Sequence, residues 1–233
     1  MINTVQSSGE PMRERRYGSV RMTVSLTPVI FPFDFVDLTQ ALKKKQYEVA
    51  IDLPMAGIGR RVGGAGIIAK RGDISVVADS ERRFVGIDGR SPKDVSSSFE
   101  QLTHILKDEL WVDVHAQVAF YEVNMRLNVL ARGNPTKAIT EFFEDLEGIQ
   151  VLESIIGERT SLFTIRLVPK DKLPSGNEWF DIRLEPDVSR PEHAMAVEIV
   201  YRKASYKDVR NFIDTVDQKI EAILDRLEQK RCV

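Results

Sequence analysis

The stretches Ser91-Pro92-Lys93-Asp94-Val95 and Ser205-Tyr206-Lys207-Asp208-Val209 each begin a long run of residues with helical periodicity. In both stretches the serine hydroxyl can cap a helix N-terminus, and the aspartate three residues later can complete a pair of the capping-box kind. This short similarity gains weight because the same order of elements precedes each stretch. The sequence therefore predicts one structural unit that is used twice.

The first unit is expected to contain a strand, a helix, four strands and a long helix. Alternation of apolar and polar residues over 21–31 is typical of a half-buried strand, and a short helix with lysines in its last turn is expected from about Asp34. Four strands are then expected at 47–53, 65–70, 74–79 and 83–88. The long helix from Ser91 carries an apolar stripe formed by Val95, Phe99, Leu102, Leu106 and Leu110.

The second unit is expected to repeat this order. A long strand is expected over 115–131, a helix over 135–147, and a last helix from 205 to about 228. Between the two helices, strands are expected at 149–156, 160–168, 178–186 and 194–203. The last helix has one apolar face, and Asp217 and Glu221 lie on the other, so we expect one face to pack and the other to meet solvent.

Two such units predict an α+β fold, in which a duplicated β-α-β4-α unit forms a curved, mostly antiparallel sheet with both long helices on one face. Residues 1–18 lack an apolar period and are expected to be a flexible leader. Residues 19–112 are expected to hold the first unit and residues 113–233 the second. Both units are expected to form one domain.

This element order gives the chain a resemblance to a known fold. Over residues 19–229 the chain resembles the TATA-binding-protein-like fold, in which one unit is duplicated into a saddle. The segments Arg83-Phe-Val-Gly-Ile-Asp-Gly89 and Val197-Glu-Ile-Val-Tyr201 are also loosely similar to a group of prokaryotic proteins of unknown function. Neither resemblance supplies a catalytic motif. Phe84 has no convincing counterpart in the second half, so the paired phenylalanines with which TATA-binding proteins kink DNA are not evident.

Composition narrows the classes of function. The chain has 33 Lys and Arg against 35 Asp and Glu, and this formal net charge of -2 argues against a globally basic nucleic-acid binder. The single cysteine, Cys232, leaves no intrachain disulfide framework and no thiolate cluster for a metal. Apolar runs fall far short of the roughly 20 residues that a membrane helix needs. We expect a cytoplasmic protein with no membrane association and no cofactor.

Four arginines form the first candidate site. If the strands of the first unit form a meander, Arg60 and Arg61 lie at the same end of the sheet as Arg82 and Arg83. Guanidiniums that lie close together repel one another, and a phosphate or an acidic partner segment would relieve that repulsion. The alternative is that these arginines are solvated turn residues. Glycines also surround Arg60 and Arg61, but this loop lies between strands and lacks the ending of a nucleotide-binding loop.

The second candidate site is the sheet face that the helices leave uncovered. Alternation in the second unit places a set of polar residues on that face, and they could form a platform for a partner. The platform residues are Glu122, Asn124, Arg126, Asn128, Arg166 and Arg183. Their charges are interleaved with those of acidic neighbours such as Asp181 and Glu198, so the alternative is a solvated surface of cross-strand ion pairs.

Signals for catalysis are weak. Asp113 and His115 lie two residues apart, and His193 could join them only if the fold brought it close, so a surface ion pair is the simpler interpretation. We expect a non-enzymatic binding or assembly module with a protein partner. The alternatives are a nucleic-acid-binding protein that uses the arginine cluster, and a small-ligand carrier with a cavity between the sheet and a long helix. The oligomeric state stays open.

Overall fold

The computed structural model of the protein describes residues 11–27, 31–49, 65–143 and 147–229. Within these ranges, nine strands form one sheet and five helices accompany it. The strands are β1 Arg15–Leu26, β2 Glu48–Val49, β3 Ala65–Arg71, β4 Ile74–Asp79, β5 Phe84–Gly89, β6 Val118–Leu130, β7 Ile165–Leu167, β8 Trp179–Pro186 and β9 Ala194–Lys203. The helices are α1 Phe35–Lys44, α2 Pro92–Leu110, α3 Pro135–Phe142, α4 Glu147–Ile156 and α5 Tyr206–Glu228.

The strands of the sheet lie in the order β2-β3-β4-β5-β1-β6-β9-β8-β7. Each of these neighbouring pairs runs antiparallel. The sheet is curved and does not close on itself, so β2 and β7 are its edges. At its centre the long strands β1 and β6 join the two halves of the chain. The predicted α+β class and the antiparallel, curved sheet are therefore confirmed.

One face of the sheet forms the core. Because side chains alternate along a strand, β1 buries Val20, Met22 and Val24, which pair in register with the buried residues Met125, Val123 and Tyr121 of β6. Helix α2 packs on β5 and β1, helix α5 packs on β6 and β9, and the two helices contact each other. The buried side chains of both helices belong to the same core cluster as those of the strands. The opposite face of the sheet therefore carries the polar half of each strand.

The helix starts follow the capping residues in the sequence. The hydroxyl oxygen of Ser91 accepts a hydrogen bond from the backbone N–H of Asp94 at 3.3 Å, and Ser205 accepts one from the N–H of Asp208 at the same distance. In α1 the cap is Asp34, whose carboxylate accepts from the N–H of Val36 at 2.7 Å. These contacts satisfy backbone donors that would otherwise lack a partner in the first turn. The predicted starts of the long helices are confirmed.

The second half departs from the predicted order. The segment expected as a strand at 149–156 belongs to helix α4, so that prediction was wrong. A short segment with few apolar residues, such as Val151 to Ile156, does not distinguish a strand from a helix by its period. The described part of this half has three strands besides β6, namely β7, β8 and β9. The predicted second copy of the four-strand unit is consequently not confirmed.

Three arginine side chains form ion pairs with the acidic residues of α5, and two of these arginines lie near the N-terminus. We call this network of ion pairs the N-terminal clasp, and its members are Arg13, Arg15, Arg132, Asp217, Glu221, Asp225 and Glu228. Arg13 contacts Asp225 and Glu228 at 2.7 Å each, and its side chain is only 2% exposed. The acidic face of α5 was expected to meet solvent, and the clasp covers part of it. The expectation of a flexible leader over residues 1–18 was also wrong at its C-terminal end, because β1 begins at Arg15.

Candidate functional site

A groove of about 900 Å³ lies on the sheet face opposite the long helices. Side chains from six strands and from the turn between β4 and β5 line it. Lining residues such as Arg21, Asn124 and Glu198 alternate along their strands with core residues, so the pleat of the sheet aims them away from the core. The groove is thus formed by the polar half of the sheet that the helices leave open.

Strand register brings three of the predicted platform residues into one row. Arg126 of β6 lies opposite Glu198 of β9, Glu198 lies opposite Arg183 of β8, and Arg183 lies opposite Arg166 of β7. We call Arg126, Arg183 and Arg166 the arginine row. Two of its members, Arg183 and Arg166, are direct cross-strand neighbours with like charge, an arrangement that destabilises a sheet unless other groups neutralise it.

A carboxylate holds each arginine of the row. Arg166 forms a bidentate pair with Asp181, with its Nη2 at 2.6 Å from Oδ2 and its Nε at 2.9 Å from Oδ1. Arg183 Nη2 lies 2.6 Å from Glu185 Oε2 in the same strand. Arg126 Nε lies 3.2 Å from Glu198 Oε1. The hydrogen bonds that Arg166 donates to the carboxylate of Asp181 raise the pKa of Arg166, so this guanidinium keeps its charge at any physiological pH.

Within each of these pairs the guanidinium is the more exposed group. The exposed fractions of Arg126, Arg166 and Arg183 are 75%, 64% and 46%, whereas those of Glu198, Asp181 and Glu185 are 47%, 18% and 23%. Asp181 and Glu185 are largely covered, whereas Glu198 is itself exposed. The carboxylates hold the arginines in position, and the groove presents guanidinium N–H groups to a ligand together with the carboxylate of Glu198. Each guanidinium has five such donors, of which its carboxylate occupies one or two.

The other platform residues serve the sheet itself. Glu122 accepts two hydrogen bonds from Arg202, at 2.5 and 2.7 Å, and one from Asn124 at 2.9 Å. The guanidinium of Arg202 also lies 4.3 Å from the centre of the Phe120 ring. Glu122 and Asn124 line the groove, but Asn128 does not. The side chain of Asn128 instead binds Asp187 in the turn between β8 and β9.

The structure describes only two of the four arginines in the predicted cluster. Arg60 and Arg61 lie outside the described residues. Arg82 lines the groove, with 82% of its side chain exposed and its Nε 3.7 Å from Asp79. Arg83 has a left-handed backbone conformation (φ 57°) and donates to the carbonyl oxygen of Thr27 at 3.3 Å. The described chain resumes at Ala65, which pairs with Asp79 beside this turn.

Sequence reasoning missed the part of the groove that β1 forms. Arg21 lines the groove and donates to Asp88 of β5 at 2.7 Å. Thr23 and Ser19 share its face of β1. The sequence did contain a signal for this part of the groove, because Arg21 and Thr23 are two residues apart and therefore lie on the same face of the strand. The platform was predicted from the second half alone, so this signal was not used.

The residues considered for catalysis are engaged in other contacts. Asp113 accepts a hydrogen bond from the backbone N–H of His115 at 3.0 Å, and His115 Nδ1 lies 2.5 Å from the hydroxyl of Tyr121. In the described ranges, no three His, Cys, Asp or Glu side chains are grouped so that they could hold a metal ion. Nor does any helix in those ranges have the length and apolar character needed to cross a membrane.

Comparison with known proteins gives no relative on which to base a function. No protein-family model matches the chain, and no curated protein is significantly similar to it. The groove and its charges are therefore the observations that bear on function.

Proposed function

We propose that the protein is a non-enzymatic binding module, and that its partner occupies the groove on the open face of the sheet. The observation that carries this proposal is the groove itself, which is about 900 Å³ in volume and whose charged side chains are held in position by one another. Side chains fixed in this way lose little conformational entropy when a partner binds. Because the charged side chains of the groove are already engaged in ion pairs, they are better suited to binding a partner than to transferring protons.

We also propose that the two halves of the chain are diverged copies of one unit, as in the TATA-binding-protein-like fold. Outward from the centre, the first half reads β1, β5, β4, β3 and the second reads β6, β9, β8, β7. Each series consists of the first strand of its half followed by the others in reverse chain order. In the first half β2 extends the series, and the second half has helix α4 at the corresponding place in the chain.

A protein is the partner that we propose, and nucleic acid is the second candidate. The lining holds five arginines, namely Arg21, Arg82, Arg126, Arg166 and Arg183, and four carboxylates, namely Asp88, Glu122, Asp181 and Glu198. Such a nearly balanced surface matches a protein surface of mixed charge better than a uniform row of phosphates. The position of Arg82 at the rim favours the second candidate. A small-ligand carrier is less well supported, because buried side chains such as Met22, Met125 and Ile199 fill the space beneath the helices.

The test uses a side chain that fills the groove. Asn124 lines the middle of the groove on β6, and Asn124→Trp places an indole there without removing any arginine. We expect the affinity for a partner isolated with the wild-type protein to fall by at least about tenfold, which is about 1.4 kcal/mol. Binding is measured by calorimetric titration with the purified partner, and circular dichroism checks the fold.

The matched control is Lys219→Trp, which places the same side chain at an exposed position on α5, the opposite side of the molecule. This control is expected to bind the partner as the wild type does. If Lys219→Trp abolished binding and Asn124→Trp did not, the partner would sit on the helical face and the groove would not be the binding site.

A further inference from the structure

We propose that the arginine row, Arg126, Arg183 and Arg166, is the docking site for an acidic segment of a partner protein, a stretch that carries several Asp or Glu side chains. This inference rests on the proposed function and names the chemistry of the partner. It is carried by three observations: the register of the row, the exposure of its arginines, and the carboxylates that hold them in position.

The register brings three guanidinium groups together across four neighbouring strands. From β6 to β7 the row reads Arg126, Glu198, Arg183, Arg166. Neighbouring strands lie about 4.8 Å apart, so the three arginines span roughly 14 Å. Glu198, Asp181 and Glu185 each pair with one of the three arginines, so the row and its carboxylates are together neutral. A ligand is therefore recognised by the exposed guanidinium N–H groups and not by an excess of charge, and its carboxylates would add hydrogen bonds to those groups.

The arginines of the row are exposed, whereas the arginines Arg13 and Arg15 of the N-terminal clasp are largely buried. The side chains of Arg13 and Arg15 are only 2% and 9% exposed and are enclosed by the acids of α5. In the arginine row, each arginine is more exposed than the acid with which it pairs, and two of those acids, Asp181 and Glu185, are largely covered. Arg126 meets Glu198 through Nε and Arg183 meets Glu185 through one Nη, which leaves further N–H donors directed to solvent. The clasp arginines fasten one element to another, whereas the row arginines are available to a ligand.

The carboxylates interleaved with the row favour an acidic protein segment over a nucleic acid. A nucleic-acid strand carries one charge per nucleotide, and its evenly spaced phosphates would meet Glu198 and Asp181 as well as the arginines. A protein segment can place carboxylates opposite the guanidiniums and neutral side chains opposite the acids. Planar carboxylates also match guanidinium forks with two parallel hydrogen bonds.

The experiment compares defined probes on the full-length protein. The probes are poly-L-glutamate, poly-L-lysine and a single-stranded oligonucleotide with the same number of charges as the polyglutamate. We expect saturable binding of polyglutamate, weaker binding of the oligonucleotide and none of polylysine. The triple variant Arg126→Gln, Arg166→Gln, Arg183→Gln is expected to bind polyglutamate at least about tenfold more weakly. Added salt should weaken the wild-type interaction.

A second triple variant controls for the change in net charge. Lys107→Gln, Lys137→Gln and Arg210→Gln remove three positive charges that lie on helices α2, α3 and α5, outside the groove. This control variant is expected to keep wild-type affinity for polyglutamate. If the first triple variant unfolds, the single change Arg126→Gln, at the most exposed member of the row, is expected to weaken binding about threefold.

Three outcomes would overturn the inference: no saturable binding of polyglutamate, an equal loss in both triple variants, or tighter binding of the oligonucleotide than of polyglutamate. The natural partner separates this inference from the proposed function. If Asn124→Trp blocks the partner and the row variant does not, the groove remains the binding site and the acidic segment is excluded. If neither change affects the partner, both proposals fail.

Discussion

Arg13 and Arg126 show how their surroundings give two arginines different roles. Arg13 is buried against α5, where Glu221, Asp225 and Glu228 all contact its guanidinium. Its Nε is buried without a hydrogen-bond partner, so the site depends on the contacts of the other two nitrogens. Arg126 is largely exposed and has one carboxylate, Glu198, at 3.2 Å. Removal of the first should affect folding, and removal of the second should affect binding.

We therefore expect Arg13→Ala to destabilise the protein by about 3 kcal/mol, because it removes the cation that pairs with the largely buried Glu228 and leaves Glu221 and Asp225 with fewer cations. Arg16→Ala, three residues along the chain and exposed, is the matched control and should cost less than about 0.5 kcal/mol. Urea denaturation of both variants measures the difference. Equal, small effects would mean that the clasp contributes nothing to the stability of the fold.

The sequence could supply the residues of the arginine row but not the row itself. Alternation along β6, β7 and β8 places Arg126, Arg166 and Arg183 on one face, and this follows from the sequence alone. Their alignment depends on which residues of different strands lie opposite one another. Register of that kind depends on packing between strands far apart in the chain. The contact of Arg13 with Glu221, 208 residues away, has no local signal either.

At the scale of elements, β5 and β1 are joined at a position where only glycine fits. A Cβ built on Gly86 would lie 2.7 Å from the Cα of Thr23, its partner in β1, and would also collide with the carbonyl oxygen of Met22. Both obstacles are backbone atoms, which cannot move aside without displacing the strand. The close approach of these strands forms the floor of the groove beside Thr23.

Gly86→Ala is accordingly expected to destabilise the protein by roughly 1 to 3 kcal/mol through overpacking between the strands. Gly133→Ala is the control, since a Cβ at Gly133 meets nothing within 4 Å. Thermal unfolding followed by circular dichroism compares the two variants. A Gly86→Ala protein as stable as the control would show that β1 and β5 are not held as closely as described.

Local chemistry also explains which elements the sequence predicts well. Ser91 and Ser205 mark helix starts because a capping bond joins residues that are close in the chain, and both starts were predicted. Helix α4 was taken for a strand because its apolar residues come in short groups that do not reveal a helical period. Among its described side chains, Val151 and Ile155 are exposed. Its identity depends on the surrounding structure.

At the scale of the whole molecule, the described residues form two grooves in which several cationic side chains lie close together. One is the groove with the arginine row. The other is a smaller groove of about 450 Å³ between the ends of α1 and β3 and helix α2, whose lining includes Lys44, Lys45, Arg71 and His104. The second surface has part of its charge engaged, because Lys44 binds Glu109 at 2.7 Å. Both surfaces offer cations to an acidic ligand, and we propose that such a ligand binds the groove with the arginine row.

Nuclear magnetic resonance on the full-length protein decides between these surfaces most directly. During a titration with polyglutamate, we expect the backbone amide shifts that change to cluster on the strands that carry the arginine row, around Arg126, Arg166, Arg183 and Glu198. Changes around Lys45 and His104 on the helical side, with the open face of the sheet unaffected, would contradict the claim that the sheet groove is the binding site.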